Sequence, residues 1–328
     1  MTRMRWLSGL LATLAVTFSV AAPAVGQGEA PAFRPAKAVT IIVPYTPGGG
    51  TDAVGRLMAK ALEEMWGQPV IIDNRTGGNG SVGAAIVARA PPDGHMMVLA
   101  VSGMAINGHV MKLPYDTLTA FAPVTAIAYP VATLMATPSL PANDLRELAE
   151  LVRKEGPGKR TFASSETGTR LTGERIFEQA NIKLLNIPYK GAAAFVNDIA
   201  AGRVDVGVAS VTSALPLIKG GRLKSLGILG TKRVSILPDV ATFREQGFGG
   251  LDENYWYGLF APAGTPEPVV SAIQQDIVKV LARPDFQAKL VDIGALPGGD
   301  TPAAFTERFR RDVDESGEAI RRLGITAE

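Results

Sequence analysis

Short apolar runs alternate along the chain with longer stretches in which apolar residues recur every three or four positions. The runs AVTIIVPY (38–45), QPVIIDNR (68–75) and HMMVLAVSG (95–103) read as strands bounded by glycine, proline and polar residues. Between them, TDAVGRLMAKALEEMWG places Val54, Leu57, Met58, Ala61, Leu62 and Met65 on one helical stripe. SVGAAIVARA (81–90) reads as a second helix, stopped by Pro91 and Pro92. This βαβαβ order predicts parallel strands with helices packed on their faces.

The pattern restarts near residue 128. VATLMATPSL, RTFASS, IKLLNIPY, RVDVGVAS and LKSLGIL read as strands. The helices expected between them begin at Asn143, taken as an N-cap, at Leu171, after a polar loop ETGTR, and at Ala193, with a short one from Ser213. NYWYGLFAPA then predicts a strand, and PEPVVSAIQQDIVKVLARP a helix. The tail from Thr301 predicts a charged amphipathic helix with a solvated face. At 328 residues and 46% apolar content, two α/β domains are expected.

The N-terminus changes the picture of where the chain works. Arg3 and Arg5 precede the apolar LSGLLATLAVTFSVAA, and small residues follow. This is the order of a secretory signal over residues 1–26, cleaved after Ala24 or Gly26, with a mobile leader over 27–36. No later run is long enough to span a membrane. Net charge is +2, and loss of Arg3 and Arg5 leaves acidic and basic residues equal in number. Such a balance gives no electrostatic footprint for nucleic acid. Without cysteine, and with only His95 and His109, the chain lacks the usual ligands for a metal and the partners of a nucleophilic relay. No cofactor is expected.

Two glycine loops carry the candidate chemistry. GGGTD follows the first strand and GGNGS the second, each where a helix begins. Helix starts present unpaired N–H groups and partial positive charge, and glycine lets a ligand approach the backbone. The pair predicts an anion site that needs no arginine. A phosphate loop of the Walker type is excluded because no Gly-Lys-Ser/Thr follows. Gly48, Gly50, Ala53 and Asp73 fit a loose dinucleotide pattern. Against that reading stand the export signal and the second glycine loop, which occupies the usual place of the ribose. A carboxylate remains the favoured anion.

The succession PYTPGGGTD, QPVIIDNRTGGNGSVGAA, PPDGH, LPYDTLTAFAPVT, NIPYKGAAAFVNDIAAGRVDV, KRVSILPDVATFREQGF and YWYGLFAPAGTPEPVV resembles the Bug family. These are periplasmic solute-binding proteins of tripartite tricarboxylate transporters, and the resemblance covers roughly residues 37 to 327. It implies a two-lobed α/β fold of the type II-like periplasmic binding class, each lobe a parallel-rich sheet flanked by helices. Residues 37–127 with 255–328 would form one lobe and 128–254 the other, joined by crossings near 124–132 and 252–260. A small carboxylate, di- or tricarboxylic or aromatic, would lie in the cleft of a periplasmic monomer. The loaded form would dock on a permease of one large and one small subunit. A sensing subunit for a membrane kinase, or a secreted enzyme of dinucleotide type, are the rival readings.

Carried over position by position, the resemblance implies ligand contacts at Tyr45, Thr46, Gly49, Gly50 and Thr51. It adds Asn79, Gly80 and Ser102, then Ser164, Ser165, Thr167, Gly168 and Thr169 in the second lobe. Tyr189 and Arg170 are further candidates. SSETGTRLTGE departs from the family loop in length and by carrying Glu166 and Arg170, and Ala209 stands where the family often has aspartate. The distal part of the ligand would then be apolar or paired with Arg170. Asp52 reads as a helix-dipole residue, Asp73 as a loop tie and Asp205 as a backbone brace. Trp256 and Tyr257 read as core, and the two histidines as loop or surface residues.

Overall fold

The first βαβαβ run consists of β1 (Val39–Val43), α1 (Gly50–Trp66), β2 (Val70–Asn74), α2 (Ser81–Val87) and β3 (Met96–Val101). After α3 (Asn107–Val110) comes β4 (Phe121–Pro130), and only Val131 separates it from β5 (Ala132–Ala136). The second run holds α4 (Leu145–Glu155), β6 (Thr161–Ser164), α5 (Thr167–Gln179), β7 (Leu185–Pro188), α6 (Ala192–Ala200), β8 (Val206–Ser210), α7 (Val211–Lys219) and β9 (Lys224–Ile228). The chain finishes with β10 (Tyr257–Pro262), α8 (Glu267–Leu281), α9 (Pro284–Asp292), β11 (Ala295–Pro297) and α10 (Pro302–Leu323). This computed structural model describes residues 33–165, 167–189, 191–251 and 255–325. The signal segment, Glu166, Lys190 and residues 252–254 of the second crossing lie outside the described residues.

Among the described residues the strands form two sheets, six-stranded in the order β11-β4-β10-β3-β1-β2 and five-stranded in the order β7-β6-β8-β5-β9. Each is parallel in one half only: β1 pairs with β2 and β3, and β6 with β7 and β8, in parallel. The strands that carry the chain between sheets, β4, β5 and β10, pair antiparallel with their neighbours. The first sheet thus draws on residues 39–130 and 257–297, the second on residues 132–228.

Both faces of each sheet are covered. Val54, Met58 and Leu62 of α1 pack with Ile273 and Ile277 of α8 on one face of the first sheet. Its other face meets Phe305, Phe309 and Val313 of α10. Phe305 and Phe309 meet Trp256 edge-on, at 5.3 and 5.9 Å between ring centres. The tail helix therefore seals a core, with only its outward face solvated.

Several local expectations change. The N-cap of α4 is Asp144, whose carboxylate accepts from Glu147 N–H, while Glu147 reaches back to Asn143 N–H. This reciprocal capping box displaces Asn143 by one position. ETGTR is not a loop, since α5 already starts at Thr167. The segment 284–297, for which no element was expected, forms α9 and β11. His109 is a surface residue as expected, on α3 rather than in a loop, and it also contacts α10, its Nε2 2.8 Å from Val313 O beside Gly317. Phe33, within the leader expected to be mobile, is buried edge-on against Trp66 because that leaves less aromatic surface in water.

Phe305 is fully buried between Trp256, Phe260 and the Cα of Gly258. Phe305→Ala is expected to lower unfolding stability by about 3–5 kcal/mol. Urea denaturation checks this through a lower midpoint at unchanged slope. A loss below about 1 kcal/mol would show that the helix does not seal this core.

Candidate functional site

The end of β1 leads through Pro44 and Tyr45 into the glycine loop. Gly48 holds a left-handed φ of +82°, and α1 begins at Gly50 with Gly49 as N-cap. The loop is fixed from behind by Asp52, which is almost fully buried. Its Oδ2 accepts from Gly48 N–H and Arg56 Nε, both at 3.0 Å, and its Oδ1 from Asn74 Nδ2, also at 3.0 Å. Asn74 also donates to Tyr45 O. Burial alone would raise the Asp52 pKa, but the hydrogen bonds from Arg56, Gly48 and Asn74 outweigh it and hold the group below the usual range. It is an ionised brace for the loop. Asp73, expected as the tie, pairs at the surface with Arg75 instead, and Asn74 does the tying.

In the second loop, Gly77, Gly78, Asn79 and Gly80 all have positive φ, at 130°, 52°, 50° and 88°. That explains the composition GGNG: asparagine is the side-chain-bearing residue that best tolerates the left-handed region. The loop then opens α2. Asn79 Nδ2 donates across to Thr167 Oγ1 at 3.0 Å, and Asn107 Nδ2 donates to Asn79 O.

The second half mirrors this grammar of strand, small polar residues, helix. β6 ends at Ser164, and Thr167 and Thr169 stand in the first turn of α5, each 7% exposed. Thr169 Oγ1 accepts from Ser165 N–H. β8 ends at Ser210, the N-cap of α7, with Ser213 Oγ 3.2 Å away. Gly191 is the N-cap of α6.

These helix starts, α1, α2, α5, α6 and α7, meet at a cavity of about 830 Å³ between the two halves. Its described wall contains no Asp, Glu, Lys, Arg or His. Thr51 lies on the wall at 6% exposure, and its hydroxyl makes no hydrogen bond within the described residues.

Of the expected residues, Tyr45, Thr46, Gly49, Gly50, Thr51, Asn79, Gly80, Ser165, Thr167, Thr169, Tyr189 and Ala209 all reach this cavity. Four do not. Ser102 lies just past β3, with its N–H given to Trp256 O. Ser164 turns its hydroxyl to Asn186 Oδ1 at 2.8 Å. Gly168 packs against Gly103, where the two halves touch. Arg170 points away from the wall, one turn before Glu174, whose carboxyl feels its charge. Of the described residues 164–170, Ser165, Thr167 and Thr169 are the ones on the wall.

The wall also includes residues the sequence reading passed over: Thr76, Gly77 and Gly78, Ser210 and Ser213, Pro130 and Ala132, Pro188, Tyr255 and Tyr257. Tyr257 is core on one side and wall on the other, whereas Trp256 is wholly core. The Ser210–Ser213 pair was findable, because it repeats the strand-to-helix pattern of the other loops. Asp205 does brace backbone, accepting from Thr161 N–H and Oγ1 and from Arg160.

Comparison with known proteins places this geometry. A family model described as "Tripartite tricarboxylate transporter family receptor" matches residues 54–325. The UPF0065 protein of the tcbD–tcbE intergenic region of Pseudomonas sp. strain P51 is 35% identical over 287 residues, covering 85% of this chain and 84% of that protein. The solved periplasmic binding protein BugD is 32% identical with a TM-score of 0.81, covering 90% of this chain and 100% of its own. A protein of R. palustris solved with adipate is 30% identical with a TM-score of 0.84, covering 89% and 99%. The two-sheet α/β architecture is shared with these structures.

Gly50 faces the second half at Ser210 and Thr212. A Cβ there would fall 2.4 Å from Tyr257 Oη of its own half and, across the gap, 3.1 Å from Ser210 Oγ and 3.3 Å from Thr212 Cβ. Gly50→Ala is expected to force the halves apart, so that amides of 210–213 exchange about tenfold faster, a loss of about 1.4 kcal/mol. Hydrogen–deuterium exchange checks this; unchanged rates would show that Tyr257 retreats freely.

Proposed function

The chain belongs to the tripartite tricarboxylate transporter receptor family, and we propose that its cavity captures a small organic carboxylate in the periplasm for delivery to a membrane permease. The permease would have one large and one small subunit, and the signal segment over residues 1–26 would place the receptor where it can meet them. The two halves act as lobes, residues 37–127 with 255–328 and residues 128–254, which close on the acid. The observation that carries the reading is the convergence of helix starts on a cavity whose described wall holds no charged side chain, with Thr51 on it. The solved relative with adipate supports the ligand class.

The mechanism follows from electrostatics. Gly49 and Gly80 give their N–H groups to Thr46 O and Gly77 O, whereas those of Gly50 and Thr51 lie at the start of α1 and that of Asn79 beside the start of α2, where the peptide dipoles add. The acid exchanges water for these donors and for the hydroxyls of Thr51, Ser165 and Thr167. A hydrogen bond to a charged group contributes about 1.5–3 kcal/mol. Four or five, with two helix ends of about 0.3–2 kcal/mol each, total about 7–19 kcal/mol, the scale of the roughly 8 kcal/mol of micromolar binding together with its association costs. Asn79 reaching Thr167 ties the two lobes once they have closed. No charged side chain of the described wall forms an ion pair that release would have to break.

Thr51→Val keeps shape and removes one hydroxyl. Its affinity for the tightest-binding acid in a panel of di-, tri- and aromatic carboxylates is expected to fall about tenfold, at little cost in unliganded melting temperature. Calorimetry checks this alongside Thr167→Val. Parent-like affinity in both variants would remove the cavity from consideration as the carboxylate site.

A further inference from the structure

Helix α5 belongs to the second half, yet one stripe of it lies against the first. Gly168, Leu171, Arg175 and Glu178 recur every three or four residues, which puts them on one side of the helix. Gly168 meets the first half closely: a Cβ there would fall 3.4 Å from the Cα of Gly103 and 3.5 Å from Ile106 Cδ1. Leu171 packs with Ile106 and with Ala319, Ile320 and Ile325 from the end of α10, all of them buried. Glu178 accepts from Arg322 at 3.3 Å, and Arg175 stands in the field of Arg322, Glu315 and Glu178. The larger apolar clusters are built inside one half or the other, whereas this one draws on both.

The tail is shaped for this contact. Helix α10 ends at Leu323, and Gly324 takes a left-handed φ of +63° that other residues resist. The N–H groups of Gly324 and Ile325 both turn back to Ile320 O, which folds Ile325 onto Ile320. At its other end α5 forms part of the cavity. Thr167 and Thr169, in its first turn, are on the wall, and Asn79 reaches Thr167 from the first half. Neither Leu171 nor residues 319–325 line that cavity. A helix moves as one body, so lifting Leu171 from the tail draws both threonines away from Asn79.

We infer that the end of α10 is a clasp: by gripping Leu171 it holds α5 against the first half and keeps the cavity closed before a ligand arrives, so that residues outside the cavity set how tightly the protein binds. The force is apolar burial, which needs no ligand. Only the closed fraction of the protein binds, and apparent affinity falls in proportion to that fraction. Leu171, Ile320 and Ile325 are positioning residues in this sense, acting through Thr167 and Thr169. The effect on affinity rests on the reading of the cavity as the carboxylate site; the clasp itself does not.

The test uses the chain without residues 1–26, unfolded and refolded to strip bound solute. Because the chain has no cysteine, Ile71→Cys and Leu185→Cys supply a unique pair of spin-label sites. Both residues are about half exposed. They lie on β2 and β7, the edge strands far from those that cross between the halves, where opening moves the labels most. Pulsed electron paramagnetic resonance of the unliganded parent is expected to show one short distance. In Leu171→Ala and in Ile325→Ala a longer distance is expected in most molecules. Calorimetric affinity for the tightest-binding of succinate, adipate, citrate and benzoate falls about tenfold, as the closed fraction drops to about one tenth. Leu171→Met, of nearly the same volume, stays within about threefold of the parent. Circular dichroism confirms folding, and Ile325→Ala, beyond the helix, carries the test if Leu171→Ala does not fold. A parent-like distance in the folded alanine variants overturns the inference, because the contact then travels with the hinge. A longer distance with parent-like affinity overturns it too. If no acid binds the parent, the carboxylate reading falls, while the distances still decide the clasp.

Discussion

Peptide N–H groups left unpaired at helix starts are the constraint around which this molecule is arranged. Each helix leaves its first N–H groups without partners inside the helix, and such groups are costly to bury unless something accepts from them. Here several helices end their obligations at one place, between two sheets. The glycines, serines and threonines at those starts keep the place open and neutral. Any arginine or lysine in the wall would bind an anion more strongly but release it less readily. Any aspartate would oppose it.

The rest of the fold serves that convergence. β1, β2 and β3 run parallel, so their carboxyl ends and the following helix starts lie on one side. β6, β7 and β8 do the same in the second sheet. The near-continuous strand β4–β5 and the return through β10 set the two sides face to face. Trp256 anchors the return, with Nε1 donating to Asp312 Oδ2 at 2.7 Å and its ring packed on Phe305, and it positions Tyr257 at the cavity. Among the described residues, contacts between the halves include the polar and glycine contacts Asn79 to Thr167, Tyr257 to Ser210 and Gly168 against Gly103. An apolar cluster joins them as well, with Leu171 of α5 packed on Ile106, Ala319, Ile320 and Ile325, and Arg322 pairs with Glu178 beside it.

Much of this was legible in the sequence. Strand and helix periods were clear, and the glycine loops pointed at what is the cavity wall because glycine and asparagine have few other reasons to occur as GGNG. What escaped detection did so for physical reasons. TAIAYPVATLMA carries no charge and reads as one extended run, so the crossing could be placed only within residues 124–132 and not at Val131 itself. Thr167 to Arg170 contain residues that suit loops and first turns equally, and the difference decides which side chains face inward. Ser164 and Arg170 fell on the wrong side of that choice. Tyr255 and Tyr257 look like core residues because they are core residues on one side; which other side faces the cavity is a tertiary fact.

Backbone amide NMR during titration with the tightest-binding acid reaches the centre of the matter. Resonances of Gly50, Thr51 and Asn79 should move downfield together and saturate with the ligand, as N–H groups that take up a charged acceptor do. If these amides stay still while the largest shifts cluster around lysine or arginine side chains elsewhere, then helix starts do not hold the anion in this protein.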